Sequence, residues 1–203
     1  MAGHDGHLGA VYGARDTAQV AAAYDAWAET YEAEMRAAGY RHPSVGLALL
    51  TRHLARGAGP ILDAGAGTGL IGEWLAILGY PQVEALDLSA GMLAVAERKR
   101  VYSRLTQAAM GTPLPYADAR FAAIVSTGVF TTGHVGAEAL PELFRICRPG
   151  GVIVLTCKLT VWDAGIDAWL TANGTHRIET TAPYVSMPGE VVTTPSLAVV
   201  LRV

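Results

Sequence analysis

Leu62-Asp63-Ala64-Gly65-Ala66-Gly67-Thr68-Gly69-Leu70 is the stretch that decides the fold. It closes a short apolar run, Ile61 to Ala64, of the kind that forms a buried strand. Glycine then falls at every second position. The chain can turn sharply off the strand tip, and a ligand can approach the peptide groups without meeting a Cβ. Leu70 to Leu78 reads as the helix that follows, closed by Gly79, and its free N–H groups are directed at the same place.

Working downstream, strands and helices alternate. Val83 to Leu88 is a predicted strand, and Ser89 caps a helix that continues to about Lys99. Leu105 to Ala109 is a weak strand, Ala122 to Ser126 a clear one, and Pro141 opens a helix through Arg148. Pro149-Gly150-Gly151 then turns into a strand, Val152 to Thr156. Such alternation means an α/β chain with a mostly parallel, doubly wound sheet covered by helices on both faces. After a short helix from Trp162 to Leu170, His176 to Val185 and Leu197 to Val203 follow as strands. No crossover helix separates them, so they pair antiparallel.

Upstream, Asp16 or Thr17 opens a long helix, with Gln19 placed to close a capping box on Asp16. Val20, Tyr24, Trp27, Tyr31 and Met35 recur at steps of three and four on one face. The run stops near Gly39, and a second helix, Ser44 to about Arg56, ends at Gly57. Residues 1–15, rich in Gly and His, read as a flexible arm. The expected organisation is that arm followed by a single domain over 16–203, helical over 16–57 and with its sheet core over 60–203.

Composition narrows the function classes. The chain has 203 residues, 51% of them hydrophobic and 16% charged, which excludes a disordered chain and predicts a generous core. A formal net charge of -3 gives no basic excess to meet nucleic acid or an anionic membrane. Two cysteines, Cys147 and Cys157, build neither a disulfide framework nor a metal pattern, and a reduced, cytoplasmic setting is expected. The opening MAGHDGHLGA has neither the basic nor the apolar region of a secretory leader. No metal site emerges.

Asp87 ends the second predicted strand, LDLS. In a doubly wound sheet its carboxylate lies beside the glycine turn, where it can accept both hydroxyls of a ribose. A literal reading leaves two cofactors open. Gly67-Thr68-Gly69-Leu70-Ile71-Gly72 matches G-x-G-x-x-G, which alone would suit a nicotinamide-dependent reductase. Three features point to S-adenosylmethionine instead. Asp63 precedes the turn, where it can answer a cationic amino-acid end but would repel a pyrophosphate. No second domain offers a hydride acceptor, and the closing strand pair is foreign to a simple dinucleotide fold.

LDAGAGTG (62–69), LDLS (86–89), LPYADARFAAIVS (114–126) and LFRICRPGGVIVL (143–155), in this order and spacing, resemble the class I, Rossmann-like S-adenosylmethionine-dependent methyltransferases. With YDAWAETYEAEM (24–35), GYRHP (39–43) and LPELFRICRPGG (140–151), the chain is more narrowly similar to the Williams–Beuren syndrome region 27 methyltransferase family. The resemblance implies a seven-stranded sheet whose last two strands form a reversed hairpin. It also implies S-adenosyl-L-methionine as cofactor, with S-adenosyl-L-homocysteine as product. Gly65, Ala66, Gly67 and Gly69 would line its methionine part and Asp87 its ribose. Leu88 and Met92 would flank the adenine, with Met110, Gly111 and Thr112 along the ring's far edge. Ser126 and Thr127 would face the sulfonium. Met110 stands where many class I enzymes place an acid for the adenine amino group, and a thioether is a poor acceptor.

Tyr24, Trp27 and Tyr31 admit two accounts, an amphipathic helix burying its aromatic face or a lid over the cofactor. In the lid account a phenol meets the cofactor's carboxylate while ring faces shield its cation. Arg41 is a candidate partner for the same carboxylate, or an exposed loop arginine. His134, in TTGHVGAE (131–138), is the one histidine near a strand's carboxyl end and a candidate general base. The expected activity is methyl transfer to a small-molecule acceptor by in-line displacement, with no nucleic acid or membrane partner. The alternative from another class is a non-catalytic cofactor-binding module that regulates or scaffolds a partner.

Overall fold

The computed structural model describes residues 6–190 and 194–203. Its centre is one seven-stranded sheet in the order β3-β2-β1-β4-β5-β7-β6. The strands are β1 (Ile61–Ala64), β2 (Val83–Asp87), β3 (Arg104–Gln107), β4 (Phe121–Phe130), β5 (Cys147–Lys158), β6 (His176–Thr180) and β7 (Ser196–Arg202). β1 through β5 run parallel, while β7 pairs antiparallel with both β5 and β6. The doubly wound sheet and its reversed hairpin are therefore as expected.

Alternation along the strands explains the two covered faces. Leu62, Ala64, Ile124, Ile153 and Leu155 point to one side, under α7 (Leu140–Ile146) and α9 (Asp167–Ala172). Ile61, Val83, Val125, Val152 and Val154 point to the other, under α4 (His42–His53) and α5 (Leu70–Ile77). Each fully buried aliphatic side chain stabilises this sandwich by roughly 1.5–3 kcal/mol. α6 (Ala90–Arg98) begins at Ser89, whose Oγ accepts from the Met92 N–H at 3.0 Å, the expected cap. A short α8 (Leu159–Val161) leads through a wider turn, Trp162–Ile166, into α9.

The N-terminal part departs from expectation. Of the arm, residues 1–5 lie outside the described residues, but α1 (Gly6–Gly13) is helical. Its glycine content hid an apolar stripe: Val11 is buried against Trp27 and Met35, with Leu8 beside it. The long helix is two, α2 (Thr17–Trp27) and α3 (Tyr31–Ala37). The break falls where Glu34 accepts from Thr30 Oγ1 at 2.6 Å and from the Trp27 indole at 2.8 Å. Asp16 caps Gln19 N–H at 2.8 Å as read, whereas the Gln19 side chain accepts from Arg15 N–H. α4 starts at His42 because Pro43 occupies its first turn, where a missing N–H costs nothing.

β4 and β5 are longer than the expected 122–126 and 152–156. β4 passes the core layer through a register shift between Ser126 and Phe130, with Gly128 at φ 74° inside it. A Cβ on Gly128 would overlap the Tyr40 hydroxyl, so only glycine allows that close approach. α1, α2 and α3 roof the carboxyl ends of the strands. Three polar ties hold α2, α3 and the turn between them to the ends of α6. The Asp25 carboxylate accepts from Ser89 Oγ at 2.5 Å and Gly91 N–H at 2.8 Å. Arg98 pairs with Glu29 at 2.7 Å, and Lys99 bridges Glu32 and Glu73.

Candidate active site

Between the strand ends and the roof lies a cavity of about 420 Å³, within the roughly 300–1,000 Å³ of cofactor and small-molecule sites. Its floor is the glycine turn. Gly65 and Gly67 take φ values of 79° and 53°. A Cβ on Gly65 would overlap Val129, while one on Gly67 would meet no protein atom and would obstruct only the cavity. The turn is pinned because Gly65 and Ala66 both donate to the Leu86 carbonyl, at 2.7 and 3.0 Å.

Asp87 stands beside that floor. Its Oδ2 accepts from Gly67 N–H at 2.8 Å and its Oδ1 from Ser89 N–H at 2.9 Å. Burial raises its pKa from the ordinary value, and the amide hydrogen bonds oppose that rise. A carboxylate has about four acceptor sites, so two remain for a diol. A glycine cradle, an oriented carboxylate with spare lone pairs and a mixed apolar wall fit an adenosyl cofactor.

Ten residues singled out from the sequence line this one cavity: Tyr24, Tyr31, Gly65, Gly67, Asp87, Leu88, Met92, Met110, Thr127 and His134. The others stand elsewhere. Trp27 is buried inside the roof, stacked between His7 and Tyr24. Arg41 is exposed and reaches the Val185 carbonyl. Asp63 lies beneath the turn, accepting from the Tyr102 hydroxyl at 2.6 Å, and the same hydroxyl accepts from Gly72 N–H at 3.2 Å. Burial raises the Asp63 pKa to about 7, against the Tyr102 hydrogen bond and with the help of the Asp87 charge. Ala66 packs with Ala85 and Leu93, and Gly69 caps α5 against Tyr102. Ser126 turns away to donate to the Ala64 carbonyl at 2.7 Å. Gly111 and Thr112 are exposed, Thr112 bonding back to Ala109.

The wall also contains residues that sequence reasoning missed. Ala14, Arg15, Asp16 and Thr17, at the joint of α1 and α2, line it, as do Gly128, Val129 and Gly133. The Asp16 cap was the available signal, since it fixes where α2 begins.

Above the floor, His134 ties roof to sheet. Its Nε2 stands 3.0 Å from the Tyr24 hydroxyl, and its Nδ1 is 2.8 Å from Thr131 Oγ1 and 3.3 Å from the Thr132 carbonyl. A carbonyl only accepts, so Nδ1 carries the proton and Nε2 accepts from Tyr24. Burial lowers the His134 pKa and raises that of Tyr24 well above the phenol range. Imidazole and phenol are thus both neutral near pH 7, a pair able to take up and relay one proton.

Among the described residues no helix is long and apolar enough to cross a membrane, and no His/Cys/Asp/Glu cluster could hold a metal ion. Cys147 and Cys157 are buried, their thiols pushed up to about 12 by burial first, which leaves them inert as nucleophiles.

Residues 62–155 match the family model of the methyltransferase domain. Human Methyltransferase-like protein 27 is 36% identical over 155 residues, 73% of this chain and 62% of that protein. A malonyl-[acyl-carrier protein] O-methyltransferase from Pseudescherichia vulneris is 33% identical over 175 residues, 82% of this chain and 67% of that one. A TehB-like SAM-dependent methyltransferase structure from Corynebacterium glutamicum has a TM-score of 0.64 at 22% identity, covering 89% of this chain and 98% of that one. The chain spans about three fifths of the length of curated relatives such as the human protein.

Proposed function

The chain belongs to the class I S-adenosylmethionine-dependent methyltransferases, and on that premise we propose that it methylates a small-molecule acceptor held between the roof helices and the tip of β4. The observation that carries this reading is the single cavity in which the Gly65–Gly67 cradle, Asp87 and the Tyr24–His134 pair meet. When bound, S-adenosylmethionine supplies a methyl carbon already activated by the adjoining cationic sulfur, with S-adenosylhomocysteine as by-product.

The chain's own residues then have limited work. Asp87 holds the ribose hydroxyls, and the peptide groups of Gly65 and Gly67 take the amino-acid part. Leu88 and Met92 flank the adenine, while Met110 offers its far edge an apolar contact only. Tyr24, Tyr31 and Val20 close the cavity from above and exclude water, which favours alignment of the reacting atoms. For an acceptor that must lose a proton, the Tyr24 hydroxyl and His134 Nε2 receive it in relay. The mild net charge and the enclosed site favour a small acceptor over nucleic acid. The pocket is also smaller than a folded protein substrate would need, although one relative is named for a carrier-bound acceptor.

Calorimetric titration of S-adenosylmethionine is the test. Wild-type protein binds and Asp87→Ala loses roughly 10²–10⁴-fold in affinity, since two charge-assisted hydrogen bonds of about 1.5–3 kcal/mol each disappear. Labelled methyl transfer into a cell extract then separates the readings. Label in the low-molecular-mass fraction supports the proposal, label on protein redirects it to a carrier-bound acceptor, and no label leaves a non-catalytic cofactor-binding module.

A further inference from the structure

The roof closes over a second, smaller chamber of about 30 Å³, which shares Tyr24, Tyr31, Gly128 and His134 with the first cavity. Most of its remaining wall is aromatic or apolar. Three residues add other polar groups, His42, Thr131 and Lys158, and of these only Lys158 is a permanent cation. Lys158 ends β5 and is only 5% exposed. Its ammonium donates to Ser186 Oγ at 3.0 Å and to the Thr194 carbonyl at 2.7 Å, both neutral acceptors.

An ammonium has three N–H donors, and among the described residues only two have acceptors. Among the described residues the ion pairs all use other cations. Burial lowers the Lys158 pKa, and it holds neighbouring His42 neutral, down to about 3, with the Lys158 charge adding to that effect. Among the described residues no carboxylate is therefore ion-paired with it. A buried charge left without one is costly, and an apolar side chain would end the strand at lower cost.

We propose that Lys158 is a specificity-determining residue that anchors a carboxylate on the methyl acceptor. The proposal rests on the methyltransferase reading above. The chamber selects the class. A cationic group would be repelled by Lys158. A phosphate would call for more than one cation, and Lys158 is the only Lys or Arg lining the chamber among the described residues. The phenols around His42, Tyr40 and Tyr184, are held protonated by burial, and the Tyr184 hydroxyl is taken up by His42 Nδ1 at 2.7 Å, so neither adds a negative charge that would repel the acid. The acceptor is thus a compact carboxylic acid. Its acid group sits at Lys158, and its reacting end points toward Tyr24 and His134, which line both cavities.

The test uses the full chain saturated with S-adenosylhomocysteine and three matched probes: 3-phenylpropionate, 3-phenylpropionamide and 3-phenylpropylamine. Binding is read by ligand-observed NMR titration. The carboxylate is expected to bind at least tenfold more tightly than the amide, with the amine weakest. Lys158→Met abolishes that preference while S-adenosylhomocysteine affinity stays within about twofold, and Lys158→Arg retains it. Equal binding of carboxylate and amide, no binding of any probe, or a preference that survives in Lys158→Met would overturn the proposal and leave Lys158 as a tether for Ser186 and Thr194. If Lys158→Met does not fold, the wild-type carboxylate-to-amide ratio decides alone. Failure of wild-type protein to bind S-adenosylhomocysteine would instead strike the methyltransferase reading, so the two failures are distinct.

Discussion

The floor of the cavity is made of main chain and its roof of side chains, and the two are held by different means. In the floor, Gly65, Gly67 and Asp87 are fixed by short backbone hydrogen bonds within two adjacent strand ends. In the roof, α2 and α3 reach partners more than sixty residues away: Asp25 to Ser89, Glu32 to Lys99, Tyr24 to His134. Part of that roof network is solvent-exposed, as at Arg98 and Glu29, where an ion pair stabilises little. A rigid floor suits recognition of an unchanging cofactor. A roof fastened by few polar ties can open for entry and close for transfer.

The comparison breaks most sharply at Gly65. Gly65→Ala places a Cβ on Val129 at a left-handed φ, and a loss of roughly 2–4 kcal/mol is expected. For a domain of this size the melting temperature falls by about 4–16 °C. Cofactor binding is lost as well, as calorimetry would record.

Beneath the floor, Asp63 makes stability depend on pH. Its folded pKa, about 7, lies above its ordinary value of 3.8. The folded state therefore keeps a proton that the unfolded state has released, and this contribution falls as pH rises from about 4 to about 7. Asp63→Asn removes it. Urea denaturation at pH 4.5 and 7.5 is expected to show a smaller loss with rising pH in the variant than in the wild type. Equal losses would mean that Asp63 is ionised throughout.

The roof responds less to single changes. Asp25→Ala frees the Ser89 hydroxyl and the Gly91 amide, so amide exchange over 17–37 should rise about tenfold, for one to two kcal/mol of local stability. The global melting temperature should change by no more than a few degrees. Unchanged exchange there would mean that the ties do not hold the roof. Smallest is Tyr24→Phe, which removes one hydroxyl from His134 and should cost about 0.5–1.5 kcal/mol in thermal or urea unfolding.

The same division governs what could be read from sequence. Gly65, Gly67 and Asp87 stand in contiguous motifs whose geometry is local, so type and spacing sufficed to place them. The side chains of the roof do not work that way. Trp27 shares the helical face of Tyr24 and Tyr31, yet the turn at Thr30 and Glu34 carries it into the roof's own core. Ser126 and Thr127 are neighbours, and strand alternation sends only Thr127 to the cavity. α1 was obscured by glycines whose apolar partners lie in α2 and α3. Lys158 stood at the end of an apolar run with nothing in its local sequence to mark the chamber above it.

The most direct measurement is a crystal structure of the chain with S-adenosylhomocysteine. The account predicts the ligand in the cavity of about 420 Å³, with both ribose hydroxyls on the Asp87 carboxylate and the sulfur facing Thr127 and His134. A ligand seated elsewhere, or a ribose that leaves Asp87 bonded only to Gly67 and Ser89, would contradict it.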